Sequence, residues 1–401
     1  MSDLLLRGGR PWIPGAEPAV ADIAVTGGRI TAVGADLAAP AGGEVIDLDG
    51  ALVLPGFVDA HCHLDKTLWG GPWVPHSSGG PTLADRIANG ERRRAELGLP
   101  SADYAANLLR IMAAHGTSFV RSHVDIDPDV GLGGVAAVRA AAERNADLVD
   151  VELVAFPQGG LIARPGTAEL LAAALADGVE VVGGLDPAGY DGDPVAQLDL
   201  LFDLADRYGA KIDIHLHDRG ALGVWQYRLI AERTRATGLS GRVVISHAYA
   251  MGEQAPDEQR RVAEELAEAG VAMITCAVGT APVVPVRVMR AAGALLALGN
   301  DGIRDLWTPF GDGDMLRRAS TVANRDRLVI DADLELALYA ATYGGAQVLG
   351  LGEYGLTAGA PADLVVVAAQ TPAAAVAGIA ERRMVVKRGR VVARTGQLLA
   401  H

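Results

Sequence analysis

Leu52-Val53-Leu54-Pro55-Gly56-Phe57-Val58-Asp59-Ala60-His61-Cys62-His63 decides how this chain is read. It is an apolar run, of the kind a strand buried on both faces presents, and it ends directly in two imidazoles. Side chains at i and i+2 of a strand project from one face, so His61 and His63 can reach a single metal ion together. A lone His-x-His pair is a weak signal, because many such pairs are polar residues satisfied near a turn. The buried lead-in is what strengthens it here.

Working outward, seven more apolar runs follow: Phe119-Val120, Val151 to Phe156, Val179 to Val182, Ile212 to Leu216, Val243 to Ile245, Ala272 to Thr275 and Leu295 to Leu298. Ala/Glu/Arg-rich helical stretches separate them. With Phe57-Val58 they make eight, the number a (β/α)₈ barrel requires. A doubly wound sheet would alternate in the same way, so the polar residues decide between the two. His61, His63, His215, His217 and His247 all close predicted strands, and a barrel gathers the ends of its strands into one mouth. The flanks have a different texture. Leu4 to Val53 breaks into short β-prone runs with Gly and Pro turns, and Ala362 to Val367 and Met384 to Val392 repeat that pattern, so the two chain ends are expected to pair in a small all-β unit. The expected fold class is α/β, a barrel over 55–353 with a β-sandwich from 1–54 and 354–401.

His215 ends the strand Lys211-Ile212-Asp213-Ile214, and Asp301 follows the eighth run through Gly299-Asn300. With His61 and His63 they form three histidines and one carboxylate, a set that suits one divalent metal ion, zinc first and ferrous iron as the alternative, with room for a water. Proton-transfer candidates stand beside them. His217 shares the face of His215, Asp218 falls where that strand turns, and His247 closes Val243-Val244-Ile245-Ser246; either His217 or Asp218 could carry the proton. Beyond Asp301, Trp307 reads as a pocket wall, and Arg304 and Asp305 as supports of the Asp301 loop. Trp69, Trp73 and His76 lie in a Gly/Pro-rich loop at the same mouth, where shaping a pocket and simple packing are equally good readings. Arg92-Arg93-Arg94 reads as a solvated helix face, with a surface loop over the barrel mouth as the alternative. Gly311-Asp312-Gly313-Asp314 lacks the ligand series of a calcium loop and reads as a turn before a helix near Met315.

Composition limits the classes further. The 401 residues are 50% hydrophobic and 21% charged, which excludes a disordered polymer, and Lys+Arg 35 against Asp+Glu 49 leaves a formal net charge of -14. Such an acidic chain would repel phosphate backbones, so neither nucleic acid nor membrane is the expected partner. Two cysteines, Cys62 and Cys276, make no disulfide framework and fit a reducing cytoplasmic compartment. No signal-peptide pattern or run of 18 apolar residues is apparent. The acidic, Ala-rich helices would permit a homo-oligomer.

At this point the residues resemble a known family. Pro55 to Lys66 is similar to the first-strand signature of the amidohydrolase superfamily, in its cytosine-deaminase-like branch. The likeness continues through Arg121-Ser122-His123-Val124-Asp125, Ala155-Phe156-Pro157-Gln158, Gly183-Gly184-Leu185-Asp186-Pro187, Ile214-His215-Leu216-His217-Asp218, Ser246-His247-Ala248 and Asn300-Asp301-Gly302 to Gly311. The resemblance implies a distorted TIM barrel, a flanking β-sandwich and one catalytic metal held by His61, His63, His215 and Asp301. It implies that Asp301 also accepts a proton and that His247 assists at the hydroxide. Gln158 falls where cytosine deaminases read the amide edge of the ring, and Lys66 matches a lysine of triazine-degrading members. One departure matters: cytosine deaminases carry a glutamate where this chain has Asp218, which counts against free cytosine as substrate. The strand Val179 to Asp186 holds no lysine to bridge two metals, which counts against the two-metal branches. The expected partner is therefore a small heterocyclic substrate, and the expected activity is cleavage of an exocyclic carbon-nitrogen bond. Opening of a cyclic amide and metal-dependent binding without turnover are the alternatives.

Overall fold

The computed structural model describes residues 3–17, 19–76, 80 and 82–400. The N-terminal β-prone runs form β1 (Leu4–Pro11), β2 (Ala21–Thr26), β3 (Arg29–Gly34), β4 (Glu44–Asp47) and β5 (Leu52–Pro55). Eight strands then alternate with helices: β6 (Phe57–Cys62), β7 (Thr117–Asp125), β8 (Asp150–Phe156), β9 (Val181–Leu185), β10 (Lys211–His215), β11 (Val243–Ser246), β12 (Val271–Thr275) and β13 (Leu296–Leu298). The chain ends in β14 (Leu364–Val367), β15 (Arg382–Lys387), β16 (Arg390–Arg394) and β17 (Gln397–Leu398).

Strands β6 to β13 form one parallel sheet in chain order. Its two edges meet where Asp301 N–H donates to His61 O at 2.8 Å, so the seam of the barrel lies at the expected ligands. All eight apolar runs are found in this sheet. The fourth strand sits slightly later than its apolar run, at Val181–Leu185. Gly183 lets this strand sit close to β8: a Cβ there would stand 3.0 Å from Ala155 O and 3.2 Å from the Phe156 ring, tighter than ordinary contact.

The apolar run at 52–63 is divided between two sheets at Gly56. Strand β5 pairs antiparallel with β14, Leu54 opposite Val365, and so joins the two chain ends as expected. Strand β6 pairs with β7 and belongs to the barrel. The end strands make a nine-stranded sheet, in which β1 pairs with β2 from Leu4 to Gly9 across a bulge between Leu6 and Gly9, and also meets β4 over Leu4 to Arg7 and β5 at Arg10 and Pro11. Alternation then divides the side chains between two cores. Leu4, Leu6, Val53, Leu364, Val366 and Met384 pack with one another, whereas Leu52, Leu54, Val365 and Val385 join the core beneath the barrel helices. The buried Lys387 ammonium fastens the two parts, donating to Ser118 O, Asp150 and Asp363 at 3.0, 2.8 and 2.8 Å.

The expected turn at 311–314 is present. Asp314 accepts from Leu316 N–H at 2.9 Å and begins the helix Met315–Arg325. Arg94 corrects the reading of its charge run. It ends the helix Leu83–Arg94 but turns inward, donating to Asp125 and Asp127 at 3.1 Å each, because that helix lies over the end of β7.

Candidate active site

Three of the four expected donors come from strand ends on the barrel mouth, and Asp301 follows the last strand. His63 Nε2 stands 3.3 Å from His215 Nε2 and 3.3 Å from Asp301 Oδ1, and His61 Nε2 stands 3.7 Å from the same oxygen. Donors at about 2.0–2.1 Å from a tetrahedral zinc ion are separated by roughly 3.3–3.4 Å. The two separations from His63 match that spacing, and His61, His63 and Asp301, like His61, His215 and His247, each bring one donor atom within 4.8 Å of the others. His61 Nε2 is buried without a hydrogen-bond partner, as are both ring nitrogens of His247, which suits lone pairs meant for a ligand rather than a structural contact.

The electrostatics agree with that fit. Burial pushes the imidazoles of His215 and His247 well below their ordinary pKa, reinforced by His61 at the first and by His217 at the second. Burial and the Lys66 charge bring His63 down to about 4. These rings are neutral at pH 7, the state in which imidazole can coordinate. Burial works against the Asp301 carboxylate, but the surrounding imidazoles of His61, His63 and His247 outweigh it and hold its pKa well below the ordinary value. Its side chain stays 22% exposed.

Around this centre the residues divide by face. The His217 ring lies 4.4 Å from that of His247, and its Nδ1 bonds to Asp186 Oδ2 at 2.8 Å. Burial opposes its charged form, yet the Asp186 carboxylate prevails and raises its pKa above the ordinary value. Asp218 points away, as alternation along a strand requires, and its carboxylate accepts from Gln226 Nε2 and Gly189 N–H at 2.9 Å each. His217 is thus at the centre, and Asp218 is tied into the wall behind it.

On the other side, Lys66 Nζ donates to Gln158 Oε1 at 2.6 Å and pairs with Asp125 at 2.9 Å. The same ammonium lies 5.5 Å from the Phe156 ring and 5.7 Å from that of Trp307. Lys66, Gln158 and Trp307 line a cleft of about 510 Å³ together with Arg94 and Ile87. Phe156 stacks on His215 with ring centroids 4.0 Å apart and joins this cleft to the imidazole cluster. Asp305 caps its own loop by accepting from Trp307 and Thr308 N–H at 2.8 Å, and Arg304 donates to Gly71 O at 3.2 Å while its guanidinium lies over Trp69 and Trp73. His76 Nε2 meets Asp305 O at 2.6 Å. The segment 69–76 thus packs on the Asp301 loop.

Several residues at the site were not singled out from sequence. His123 is fully buried, its ring 4.0 Å from that of His61, and neither of its nitrogens has a hydrogen-bond partner. Asp186 braces His217, Ser246 and Asp213 lie behind His61, and the Tyr249 ring stands 5.3 Å from His217. The backbone is strained at this mouth, with left-handed φ of 32° at Asp186, 69° at His247 and 63° at Asp301. Such values in non-glycine residues gather where a fold must aim a side chain.

Imidazoles and a carboxylate at the C-terminal mouth of a (β/α)₈ barrel define a hydrolase site, and the chain belongs to the amidohydrolase family, which matches residues 44–136 and 83–393. It acts as a hydrolase on carbon-nitrogen bonds. The chain is 36% identical to N-isopropylammelide isopropyl amidohydrolase of Pseudomonas sp. (strain ADP) over 96% of each chain. The crystal structure of N-isopropylammelide isopropylaminohydrolase from Burkholderia multivorans ATCC 17616 superposes with a TM-score of 0.94 at 44% identity, covering 100% of both chains. That of 5-methylcytosine deaminase from Klebsiella pneumoniae liganded with 5-fluorocytosine gives 0.84 at 28% identity over 99% of this chain and 98% of that one. Among the described residues, no helix is long and apolar enough to cross a membrane.

Proposed function

We propose that this chain is a metal-dependent aminohydrolase that cleaves an exocyclic carbon-nitrogen bond of an oxo-bearing nitrogen heterocycle, an s-triazine or a pyrimidine, and releases an amine with the ring intact. The observation that carries the reading is the pair of 3.3 Å separations from His63 Nε2, one to His215 Nε2 and one to Asp301 Oδ1. Similarity to proteins named for N-isopropylammelide and 5-methylcytosine supports the substrate class.

His61, His63, His215 and Asp301 would hold one divalent ion, zinc first and ferrous iron second. When bound, such an ion supplies Lewis acidity, which lets a water lose its proton near neutral pH. The chain's own residues do the rest. Asp301 takes a proton as the water oxygen bonds to the ring carbon and the ring carbon-nitrogen π pair moves onto the ring nitrogen; that pair re-forms the double bond as the amine leaves, and the proton on Asp301 then restores His217. His217, braced through Nδ1 by Asp186, gives a proton to the exocyclic nitrogen as the carbon-nitrogen bond breaks, so the amine leaves neutral. His247 polarises the attacked centre from the facing strand. Gln158 and Lys66 present hydrogen-bond donors to the ring, and Trp307 and Phe156 cover its faces. In this reading the barrel, 55–353, carries the reaction and the end sheet, 1–54 with 354–401, is scaffold.

The test is to load the full chain with zinc or ferrous iron and to follow free amine from aminated pyrimidines, triazines and pterins. Amine or ammonia with an intact ring is expected. A ring-opened acid would replace this reading with cyclic amide hydrolysis, and tight binding with no product over hours would replace it with a binding protein.

A further inference from the structure

Behind His61 runs a chain of hydrogen bonds whose direction follows from the chemistry of its members. Its far end is Arg121, fully buried on β7, which donates from Nη1 to Asp213 Oδ2 at 3.0 Å and from Nε to Glu152 at 2.7 Å. A guanidinium has no acceptor, so Asp213 receives from it. The other Asp213 oxygen, Oδ1, receives the Ser246 hydroxyl at 2.6 Å. That hydroxyl has a single proton, and it is committed to Asp213. Ser246 Oγ also lies 2.9 Å from His61 Nδ1, and with its proton directed elsewhere it can only accept there. His61 therefore carries its proton on Nδ1. Its Nε2, which faces Asp301 and has no hydrogen-bond partner, keeps a lone pair.

We propose that Asp213 and Ser246 are positioning residues that lock His61 in the one tautomer able to coordinate a metal ion. The proposal rests on the reading of His61 as a metal donor. Their places in the barrel suit this role. Asp213 is two residues before His215 on β10, on the same face and one layer deeper, and Ser246 is the neighbour of His215 in register at the end of β11. The side chains of Asp213, Ser246 and His61 are all buried, away from bulk water.

Reversing the polarity of the chain provides the test. Ser246→Ala removes the bias toward the coordinating tautomer without imposing the other one. Asp213→Asn does impose it. Arg121 draws the amide oxygen of Asn toward itself, the amide NH₂ then faces Ser246, and the serine must turn its proton toward His61 Nδ1. The ring proton is thereby sent to Nε2, where the metal would bind.

Zinc affinity of the full-length apoprotein, measured by competition with a chromophoric chelator, reads this out directly, with thermal melting of each apoprotein alongside. Loss of a partner that orients a metal-ligating histidine costs about 10–100-fold in affinity, which is the effect expected for Ser246→Ala. Ser246→Thr keeps the hydroxyl and should restore most of it. Asp213→Asn should bind at least about tenfold more weakly than Ser246→Ala, and the double variant should recover to the level of Ser246→Ala, because without the serine the asparagine has nothing through which to act. A purely structural role predicts the opposite, a double variant weaker than either single one. That outcome, or zinc affinity in Ser246→Ala equal to wild type, overturns the proposal. Should Asp213→Asn fail to fold, the Ala and Thr pair at position 246 decides. His61→Ala separates the two levels of the argument. If it binds zinc as wild type does, the ligand set is wrong; if it loses zinc while the Ser246 and Asp213 variants bind normally, only the tautomer lock is wrong.

Discussion

Gly299→Ala is expected to damage the site although residue 299 touches neither substrate nor metal. Gly299 lies just after β13, where the barrel closes on β6. A Cβ built there would stand 2.5 Å from His61 Cβ, 2.6 Å from His61 O and 2.8 Å from His61 N. Ordinary contact begins near 3.4 Å, so the shortest of these must lengthen by about 0.9 Å, that is 3.4 minus 2.5. No rotation relieves the clash, because two of the three atoms are backbone. The backbone that must move includes His61 O, which accepts from Asp301 N–H at 2.8 Å, so both His61 and Asp301 shift. Metal-donor distances tolerate only about 0.2 Å. Overpacking of this kind costs about 1–3 kcal/mol in stability. The assay is metal content after dialysis, melting temperature and turnover, with Gly352→Ala as the control because a Cβ at Gly352 meets nothing within 4 Å. Gly299→Ala should melt a few degrees lower and lose most of its metal, and the control should do neither. A Gly299→Ala protein with full metal and wild-type turnover would refute the argument that the seam positions the ligands.

Asp301→Asn should abolish turnover and weaken zinc retention, measured by initial rates and by metal analysis of the dialysed protein. Gln158→Leu should raise KM with a smaller effect on kcat if, as proposed, the amide that holds Lys66 also reads the substrate ring; steady-state kinetics would show the split. Arg121→Met leaves the fully buried Asp213 with only the Ser246 hydroxyl while Glu152 keeps Lys211, and should cost about 3–5 kcal/mol in denaturant titrations. Asp305 predicts a pH effect. Burial lifts its carboxyl to about 6 from 3.8, against the opposing N–H groups of Thr308 and Trp307, so the folded state holds its proton more tightly than the unfolded chain. A group shifted upward contributes its full stability below the unfolded value and loses it as pH rises through the folded one. Asp305→Asn keeps the acceptor and removes the ionisation. It should gain on wild type by up to about 3 kcal/mol at pH 7 to 8, with the difference vanishing near pH 4; parallel stability curves across that range would contradict it.

What the sequence revealed and what it concealed separate along a physical line. The eight barrel strands and the pairing of the chain ends were legible because each depends on local apolar patterning, and β5 to β8 are buried almost throughout. The histidines at strand ends were legible because alternation alone fixes their side. By the same alternation His217, not Asp218, keeps the company of His215. Arg94 was misleading because a run of three arginines looks solvated until the helix bearing it is seen to lie over Asp125 and Asp127. Ser246, Asp213 and His123 were silent for another reason. Each acquires its meaning at the site only from neighbours far away in the chain, as Ser246 does between Asp213 and His61, 33 and 185 positions from it. Periodicity within a strand cannot report such partners, since they are set by register between strands and by closure of the barrel. The left-handed backbone at His247 and Asp301 belongs to the same category: neither is glycine, so composition gives no warning, and only the tertiary fold can hold them there. Local pattern thus shows which residues reach the mouth, and barrel closure determines which nitrogen each of them offers.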